Sequence, residues 1–327
     1  MTLGLSVRRH LTHFSRSMTD KNFPVQVEVE ATILDADGAA SWLSSERKRL
    51  LDILARNGAA LLRGLPLSNA LDFDACVVAL ELENFTYAES LSNAVRVNKT
   101  KRVFTANEAP PEVEIFLHHE MAQTPTYPSK LLFFCEHSSD SGGSTPLCQS
   151  DLLLKQLADR MPQLIDELEN KGVKYTNVMP ASADLGSGQG RSWQNTLGSK
   201  SKTSAETRLR DLNYTWEWLQ DENLKVTTPV LPAIRRLDDG KKVFFNQLIA
   251  AYQGWKDSRN QDSKKIQFGD GSDISEESMD DVCEVAEKIT YDHFWQKGDL
   301  LLVDNFRVMH GRRPFFGTRK VLASLSL

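Results

Sequence analysis

The order of short apolar segments and turns constrains the fold of this chain more than any other sequence feature. Residues 129–136, 300–303 and 320–326 are strongly apolar, short enough for strands, and bordered by turn-forming residues. Strands and helices do not alternate regularly, and the sequence contains no GxGxxG motif. A doubly wound nucleotide-binding fold is therefore disfavoured. The pattern predicts an α+β domain that is mainly β, with a sheet sandwich or barrel and helical additions.

Helical periodicity marks three segments in which apolar residues recur every three to four positions. They are residues 41–57, 70–82 and 152–171, and the first and last are followed by glycine, a common helix terminator. A buried strand is expected directly after Gly58. Residues 293–296 are expected to form a further strand ahead of a turn.

Two polar regions interrupt this pattern. Residues 180–205 are rich in glycine, serine and lysine, and residues 256–278 are also polar, so both are expected to be surface inserts. Within the first insert, Trp193 is a candidate lid residue. The other tryptophans are expected to lie in the core.

The N-terminal segment has its own composition. Residues 1–19 contain Arg8, Arg9 and Arg16 and no acidic residue. We therefore expect residues 1–22 to be a flexible or targeting segment. A basic tail on a cytoplasmic protein is one interpretation, and a mitochondrial or other organellar targeting peptide is the alternative.

Overall composition excludes several classes of protein. The 327 residues include 39 basic and 44 acidic side chains, a net charge of −5, which disfavours general nucleic-acid binding. No apolar run approaches the length of about 18 residues needed to span a membrane. The four cysteines form no CxxC pair, so a structural zinc site is not indicated, and they are expected to be buried thiols: Cys76, Cys135, Cys148 and Cys283.

The residues best suited to chemistry are a histidine and a carboxylate two positions apart, His118 and Glu120. On an extended segment these two side chains face the same side, and His119 faces away. His310, which follows a buried strand, is the best candidate for a third ligand. Two imidazoles and one carboxylate that leave open positions form the facial triad of non-heme Fe(II) oxygenases.

Taken alone, this HxE pair is weak evidence, because a surface histidine and glutamate occur together by chance in many chains. The absence of HExxH disfavours a helix-borne metalloprotease. Three further alternatives stay open: a cupin-like metal-dependent hydrolase or isomerase, a non-catalytic binding protein on the same fold, and a self-hydroxylating sensor.

Two more segments strengthen the oxygenase interpretation. Residues 142–146 have the sequence GGSTP and lie about 25 residues after the HxE pair. Arg319 lies nine residues beyond His310, at the start of the last strand. A plain turn and an exposed strand-edge charge are the simpler interpretations of these two features.

Together these segments resemble the taurine dioxygenase (TauD/TfdA) and clavaminate synthase-like family of Fe(II)/2-oxoglutarate oxygenases, and the clavaminate synthase-like subgroup in particular. The resemblance is carried by RVFTANEAPP (102–111), FLHHEMAQTPTYPSKLLFFCE (116–136), GGSTP (142–146), FFNQL (244–248), WQKGDLLLVDN (295–305) and MHGRRPF (309–315). These segments extend over about two thirds of the chain. The resemblance implies a double-stranded β-helix (jelly-roll) core with helical additions, and hence one oxygenase domain over residues 23–327.

The resemblance also implies ligands. It assigns Fe(II) to His118, Glu120 and His310, and it assigns 2-oxoglutarate, the cosubstrate used with O2, to Thr145 and Arg319. Most of the superfamily has aspartate where this chain has Glu120, but clavaminate synthase-like members share the glutamate. Many members carry a second arginine four residues after the first, and here that position is Ala323. Arg319 therefore acts alone, or a neighbouring cation assists it; the candidates are Arg312, Arg313 and Lys320.

The expected substrate is a small molecule such as an amino acid or an amino-acid derivative, most simply hydroxylated with release of succinate and CO2. Residues near the HxE pair and the C-terminal motif are candidates for binding it: Asn107, Gln123, Asn246 and Arg312, with Glu108 and Gln247 nearby. Hydrogen bonds that only stabilise loops are the alternative role for Asn107 and Gln123. The sequence leaves the oligomeric state open.

Overall fold

The structure is a computed structural model. It describes residues 23–29, 33–86, 90–184, 186–187, 189–255, 259 and 264–327. The predicted N-terminal targeting or flexible segment, residues 1–22, lies outside the described residues, as does part of the second predicted insert, residues 256–258 and 260–263.

Short strands dominate the element order, with helices between them. The strands are β1 (Val25–Glu28), β2 (Ala59–Arg63), β3 (Phe104–Thr105), β4 (Ile115–His118), β5 (Lys130–His137), β6 (Ser141–Gly142), β7 (Thr145–Gln149), β8 (Val173–Met179), β9 (Thr215–Trp218), β10 (Leu224–Thr227), β11 (Arg235–Arg236), β12 (Lys242–Val243), β13 (Ile266–Phe268), β14 (Tyr291–His293), β15 (Leu300–Asp304), β16 (Val308–Arg312), β17 (Phe315–Phe316) and β18 (Lys320–Ser326). The helices are α1 (Ala36–Asn57), α2 (Ala70–Ala79), α3 (Ser150–Arg160), α4 (Pro162–Lys171), α5 (Trp193–Leu197), α6 (Lys202–Asp211), α7 (Leu248–Gly254) and α8 (Glu276–Ile289).

Two sheets form the centre of the fold. The larger has six strands in the order β1-β2-β15-β5-β18-β3, and the smaller has four in the order β14-β7-β16-β4. A second four-stranded sheet, β13-β8-β10-β9, and two strand pairs complete the β structure of the described residues. The predicted mainly β, α+β jelly-roll core is confirmed.

The two central sheets face each other across an apolar core. Alternation along each strand decides which side chains point inward. In the large sheet, Leu301 and Val303 join a buried cluster that also contains Leu147 and Val308 of the small sheet. The intervening residues point to the opposite faces, as Leu302 does in β15.

Helices cover both outer faces of this sandwich. Helices α1 and α2 pack on the large sheet, where Leu43 and Leu54 share a cluster with the outward-facing leucines of β15. Helices α3, α4, α7 and α8 cover the small sheet, where Leu117 and Met309 lie in their cluster. Both faces of β15 are therefore buried, which explains why this strand reads as a continuous apolar run.

Three sequence expectations need correction. The single helix expected over 152–171 is two helices, α3 and α4, because Pro162 starts a new helix and its ring cannot continue the preceding one. Of the strand expected at 293–296, only His293 is extended, as the last residue of β14. The first insert is partly helical, and Trp193 is buried against Trp218 rather than placed on a lid.

Two further expectations concern cysteines and membranes. Cys76, Cys135 and Cys148 are buried and Cys283 is partly buried, and burial raises the pKa of each of the four thiols to about 12. They are therefore unreactive at neutral pH. Within the described ranges, none of the helices combines the length and the apolar character that crossing a bilayer requires.

Candidate metal centre

Two histidines face each other on neighbouring strands of the small sheet. His118 is the last residue of β4, and His310 lies in the middle of β16, where the antiparallel register pairs the two residues directly. Their ring centroids are 4.4 Å apart. The outward positions next to them, Leu117 and Met309, pack against the helices, so alternation turns both imidazoles toward the space between the sheets.

Glu120 brings a carboxylate to the same point, although β4 ends two residues earlier. Its Oε2 lies 3.8 Å from Nε2 of His118 and 3.6 Å from Nε2 of His310. Two backbone contacts fix the chain here: the Glu120 N–H donates to Oδ1 of Asn305 at 2.7 Å, and the Asn305 amide donates back to the Glu120 carbonyl at 3.0 Å. Ligand atoms about 2.1 Å from one ion are separated by about 3 to 4 Å, so these three side chains fit a metal ion.

Protonation states favour metal binding. Nδ1–H of His118 donates to the Phe116 carbonyl at 2.8 Å, which orients the ring so that Nε2 faces Glu120. Burial, followed by the proximity of His118, lowers the pKa of His310 to about 4, so its imidazole is neutral at pH 7. Among the described residues, these three are the one group of histidine, cysteine and carboxylate side chains with metal-binding geometry.

Arg96 is a member of this site that the sequence analysis missed. Its Nη2 donates to Oε1 of Glu120 at 2.8 Å, and both side chains are almost fully buried. Burial by itself would raise the pKa of Glu120, but Arg96 and the two histidines outweigh it and hold the pKa well below the usual range. Arg96 thus occupies one carboxylate oxygen and leaves Oε2 directed at the histidines.

His119 faces away from His118 and Glu120, as the two-residue spacing predicted, and its hydrogen bonds hold the strand end in place. Its Nδ1–H donates to the Asn305 carbonyl, and its Nε2 accepts from the Ser150 hydroxyl at 2.7 Å. Burial lowers the pKa of His119 to about 3, so the ring stays neutral. His119 and Asn305 together tie the segment after β4 to the segment after β15.

The GGSTP segment holds the second half of the site. Thr145 is the first residue of β7 and, like Leu147, faces the interior. Gly143 has a φ of 68°, and a side chain there would approach Cδ of Arg319 to 3.1 Å. Arg319 Nε donates to the Gly143 carbonyl at 3.0 Å. The motif therefore places Gly143 against Arg319 and Thr145 in the wall of the cavity that Arg319 also lines.

The Arg319 guanidinium has no acidic partner among the described residues, and it lines the same cavity as the histidines. Burial, with Arg312 nearby, lowers its pKa to about 10, so it stays charged at pH 7. Arg319 is partly buried, and a partly buried cation without a counter-ion favours the entry of an anion into the cavity.

The suggested assisting cations are engaged elsewhere. Arg312 donates from Nη1 and Nη2 to four backbone carbonyls, at distances from 2.6 to 3.3 Å. Arg313 forms ion pairs with Glu114, Asp292 and Glu287. Lys320 is exposed. Of the residues described in this region, Arg319 is the cation left for an anionic ligand.

One cavity of about 390 Å³ connects these groups. Its wall includes His118, Glu120, His310, Thr145 and Arg319. On the large-sheet side the wall is apolar, with Phe133, Val321 and Ala323. The space is sufficient for a small dicarboxylate and a small organic substrate together.

The candidate substrate residues divide into two groups. Asn107, Gln123 and Arg312 line the cavity, as does Gln247, which donates to the His119 carbonyl at 2.9 Å. Asn246 does not reach it: its fully buried amide donates to the Ala233 carbonyl and accepts from the Leu248 N–H. Asn246 is therefore a supporting residue, which corrects its assignment to substrate binding.

A jelly roll whose inner face presents two histidines and one carboxylate around open positions is the structure of a non-heme iron oxygenase. The same cavity is lined by Arg319, a cation without an acidic partner among the described residues. Sequence comparison agrees with this class. A profile of the family described as "Taurine catabolism dioxygenase TauD, TfdA family" matches residues 19–325, and the chain belongs to that family. It is an oxygenase that depends on Fe(II), 2-oxoglutarate and O2, rather than a hydrolase or a non-catalytic binding protein.

Individual relatives support the assignment. A clavaminate synthase-like protein of Arabidopsis thaliana is 38% identical over 284 residues, which cover 86% of each chain. The dapdiamide synthesis protein DdaC of Enterobacter agglomerans is 29% identical and covers 84% of this chain and 83% of its own. A crystal structure of a taurine dioxygenase from Burkholderia xenovorans has a TM-score of 0.50 at 13% identity, over 92% of this chain and 85% of that one, which indicates a shared fold.

The pairing of Arg96 with Glu120 leads to a prediction about stability. Replacing Arg96 by methionine leaves a buried carboxylate without its cation, so the metal-free protein should lose about 3 kcal/mol of unfolding free energy. A bound ion replaces the missing positive charge, so Mn(II) should stabilise the variant more than the wild type. Urea unfolding with EDTA and with Mn(II) measures both effects. Arg96→Lys, which keeps the charge, is the control, and equal losses in both conditions would contradict the role.

Proposed function

We propose that this oxygenase hydroxylates an unactivated C–H bond of a small amino-acid derivative and releases succinate and CO2. His118, Glu120 and His310 would hold the iron, and Thr145 and Arg319 would hold the distal carboxylate of 2-oxoglutarate. One observation carries the proposal: the triad and the unpaired guanidinium of Arg319 open into a single cavity of about 390 Å³.

Iron, with 2-oxoglutarate and O2, supplies the oxidising power for the reaction when it is bound. The chain's own residues supply geometry. His118, Glu120 and His310 would hold the ion and leave its cavity side open for the cosubstrate. Arg96 supports this arrangement because it engages Oε1 of Glu120 and leaves Oε2 facing the two imidazoles.

Orientation of the cosubstrate would come from the far end of the cavity. Arg319 offers a charge-assisted hydrogen bond and Thr145 a hydroxyl, a pair suited to one carboxylate. Phe133, Val321 and Ala323 form an apolar wall along this path. Such a wall excludes water and strengthens the ionic contact of the carboxylate.

The amide groups of the wall support an amino-acid derivative as the substrate. Oδ1 of Asn93 and Oε1 of Gln123 are buried acceptors with no hydrogen-bond partner in the part of the chain that the structure describes, and both residues line the cavity. Buried acceptors of this kind call for a donor, such as an ammonium or an amide N–H of the ligand. The relative named for dapdiamide synthesis is in line with a substrate that carries amide groups.

Succinate formation tests the proposal. Purified protein with Fe(II), 2-oxoglutarate and O2 should form succinate faster when a substrate from a panel of free amino acids, N-acyl amino acids and dipeptides is added. Mass spectrometry of the active compound should show a gain of one oxygen atom. If matched carboxylic acids without nitrogen stimulate turnover equally well, the substrate class is wrong.

Gln123 provides a mutational prediction for the same site. Replacing it by leucine removes the acceptor at similar volume, so KM for the active compound should rise about tenfold, the cost of about 1.4 kcal/mol for one lost hydrogen bond. The apparent KM for 2-oxoglutarate should stay within about twofold. Gln163→Leu, on the exposed face of α4, is the matched control. An unchanged substrate KM in Gln123→Leu would remove this residue from the substrate site.

A further inference from the structure

Trp295 contacts the cavity residue Thr145 without lining the cavity itself. Its indole N–H donates to Oγ1 of Thr145 at 3.0 Å. Thr145 lines the cavity, and Trp295 is absent from the described lining residues. Trp295 therefore contacts Thr145, which the proposed function places on the distal carboxylate of 2-oxoglutarate, and does not itself reach the cavity.

The donor and acceptor capacities of the two side chains fix the direction of the hydrogen bond between Trp295 and Thr145. An indole N–H can only donate, so Oγ1 of Thr145 must accept from it with a lone pair. A threonine hydroxyl has one hydrogen, and among the described residues the Thr145 side chain donates no hydrogen bond of its own. The Thr145 hydroxyl can therefore donate its hydrogen to a ligand. The hydrogen bond from Trp295 keeps the hydroxyl from rotating to an orientation in which it would accept from the ligand instead.

A buried network holds Trp295 in place. His293 pairs with Thr145 across β14 and β7, and its ring packs edge-on against the Trp295 ring at a centroid distance of 4.5 Å. Asp299 closes the turn after Trp295: it accepts from the Gln296 N–H at 2.9 Å and from two nitrogens of Arg63 at 2.8 and 2.7 Å. Arg63 belongs to β2, so the large sheet anchors the segment that carries the indole.

We propose that Trp295 is a positioning residue for 2-oxoglutarate: its N–H orients the Thr145 hydroxyl so that this group donates to the carboxylate bound by Arg319. The inference rests on the proposed function, in which Thr145 and Arg319 bind the cosubstrate. Trp295 acts only through Thr145, which separates this role from general support of the fold.

A double-mutant cycle on 2-oxoglutarate binding tests the inference. The dissociation constant is measured by calorimetry on the Mn(II)-loaded protein without oxygen, for wild type, Trp295→Phe, Thr145→Val and the double variant. Trp295→Phe should raise it about fivefold, the loss of about 1 kcal/mol expected for one hydrogen bond. The same substitution should have no further effect in the Thr145→Val background. Mn(II) affinity should stay within twofold in all four proteins.

Two controls keep packing apart from hydrogen bonding. Trp216→Phe makes the same change at another partly buried tryptophan of the same apolar cluster and should leave 2-oxoglutarate binding unchanged. If Trp295→Phe does not fold, site-specific replacement of Trp295 by 3-benzothienylalanine removes only the N–H and keeps the ring shape. That replacement should produce the same fivefold weakening.

Different outcomes would overturn the positioning role of Trp295 and the proposed function. Unchanged binding in Trp295→Phe, or equal weakening in the presence and absence of Thr145, would overturn the positioning role. If the wild-type protein bound Mn(II) but not 2-oxoglutarate, the proposed function would fail and this inference with it.

Discussion

Replacing His310 by alanine should abolish tight metal binding and reduce 2-oxoglutarate turnover to background. The reason is geometric: His310 and His118 are direct partners across β16 and β4, and Glu120 reaches both of their Nε2 atoms within 4 Å. Loss of one of three protein ligands should weaken Fe(II) or Mn(II) binding by well over about 100-fold, since removing residues that merely support ligands already costs 10- to 100-fold. Calorimetry with Mn(II) measures the affinity directly.

The control for this prediction is another histidine substitution. His137 is exposed, at the end of β5, and His137→Ala should retain full metal affinity and turnover. His310→Ala should still fold, because the wild-type imidazole leaves Nδ1 without a hydrogen-bond partner in the described structure. Metal affinity within tenfold of wild type in a folded His310→Ala protein would refute the triad.

Replacing Arg319 by alanine should weaken 2-oxoglutarate binding about 150-fold and leave the metal site nearly intact. The Arg319 side chain is partly buried and has no acidic partner in the described structure, so the ligand carboxylate would be its counter-ion. Removing one partner of a buried, hydrogen-bonded charge pair costs about 3 kcal/mol, which corresponds to that factor. Calorimetric titration of the Mn(II)-loaded protein with 2-oxoglutarate gives the value.

Specificity of this effect is judged on two further variants. Lys320→Ala removes the neighbouring exposed cation and should change the dissociation constant for 2-oxoglutarate less than twofold. Arg319→Lys keeps the charge but loses the fork of donors, so it should lie between alanine and wild type. Weakening of less than threefold in Arg319→Ala would move the carboxylate site to another cation of the cavity, Arg96 or Arg312.

Part of the site is readable from local sequence because strand geometry is simple. A two-residue spacing on an extended segment already aligns His118 with Glu120 and turns His119 away. The alignment persists although β4 ends at His118, because Asn305 fixes the next residues through paired hydrogen bonds. The GGSTP segment also follows from local backbone geometry, since Gly143 has a φ of 68° and a side chain there would come within 2.7 Å of Oγ of Ser139.

Other residues leave no local signal. Arg96 lies outside any helix or strand, and no motif distinguishes it from other surface-like arginines until it meets the Glu120 carboxylate. The sequence predicts Trp295 only as a core residue, because its hydrogen bond to Thr145 joins residues 150 positions apart in the chain. Asn246 is the reverse case. Its position in a motif predicts a substrate ligand, but its side-chain amide is hydrogen-bonded to the backbone of Ala233 and Leu248.

Residue pattern alone indicated strands β2, β5, β15 and β18 and the shared side of His118 and Glu120, because each depends on the apolar character or alternation of a short segment. Tertiary structure decided how each cation near the cavity is engaged: Arg96 pairs with Glu120, Arg312 donates to backbone carbonyls and Arg313 pairs with three acids, while Arg319 has no acidic partner among the described residues. The difference is physical. Direction along a strand is a local property of the backbone, whereas the partner of a charge depends on which distant groups the fold places within about 4 Å of it.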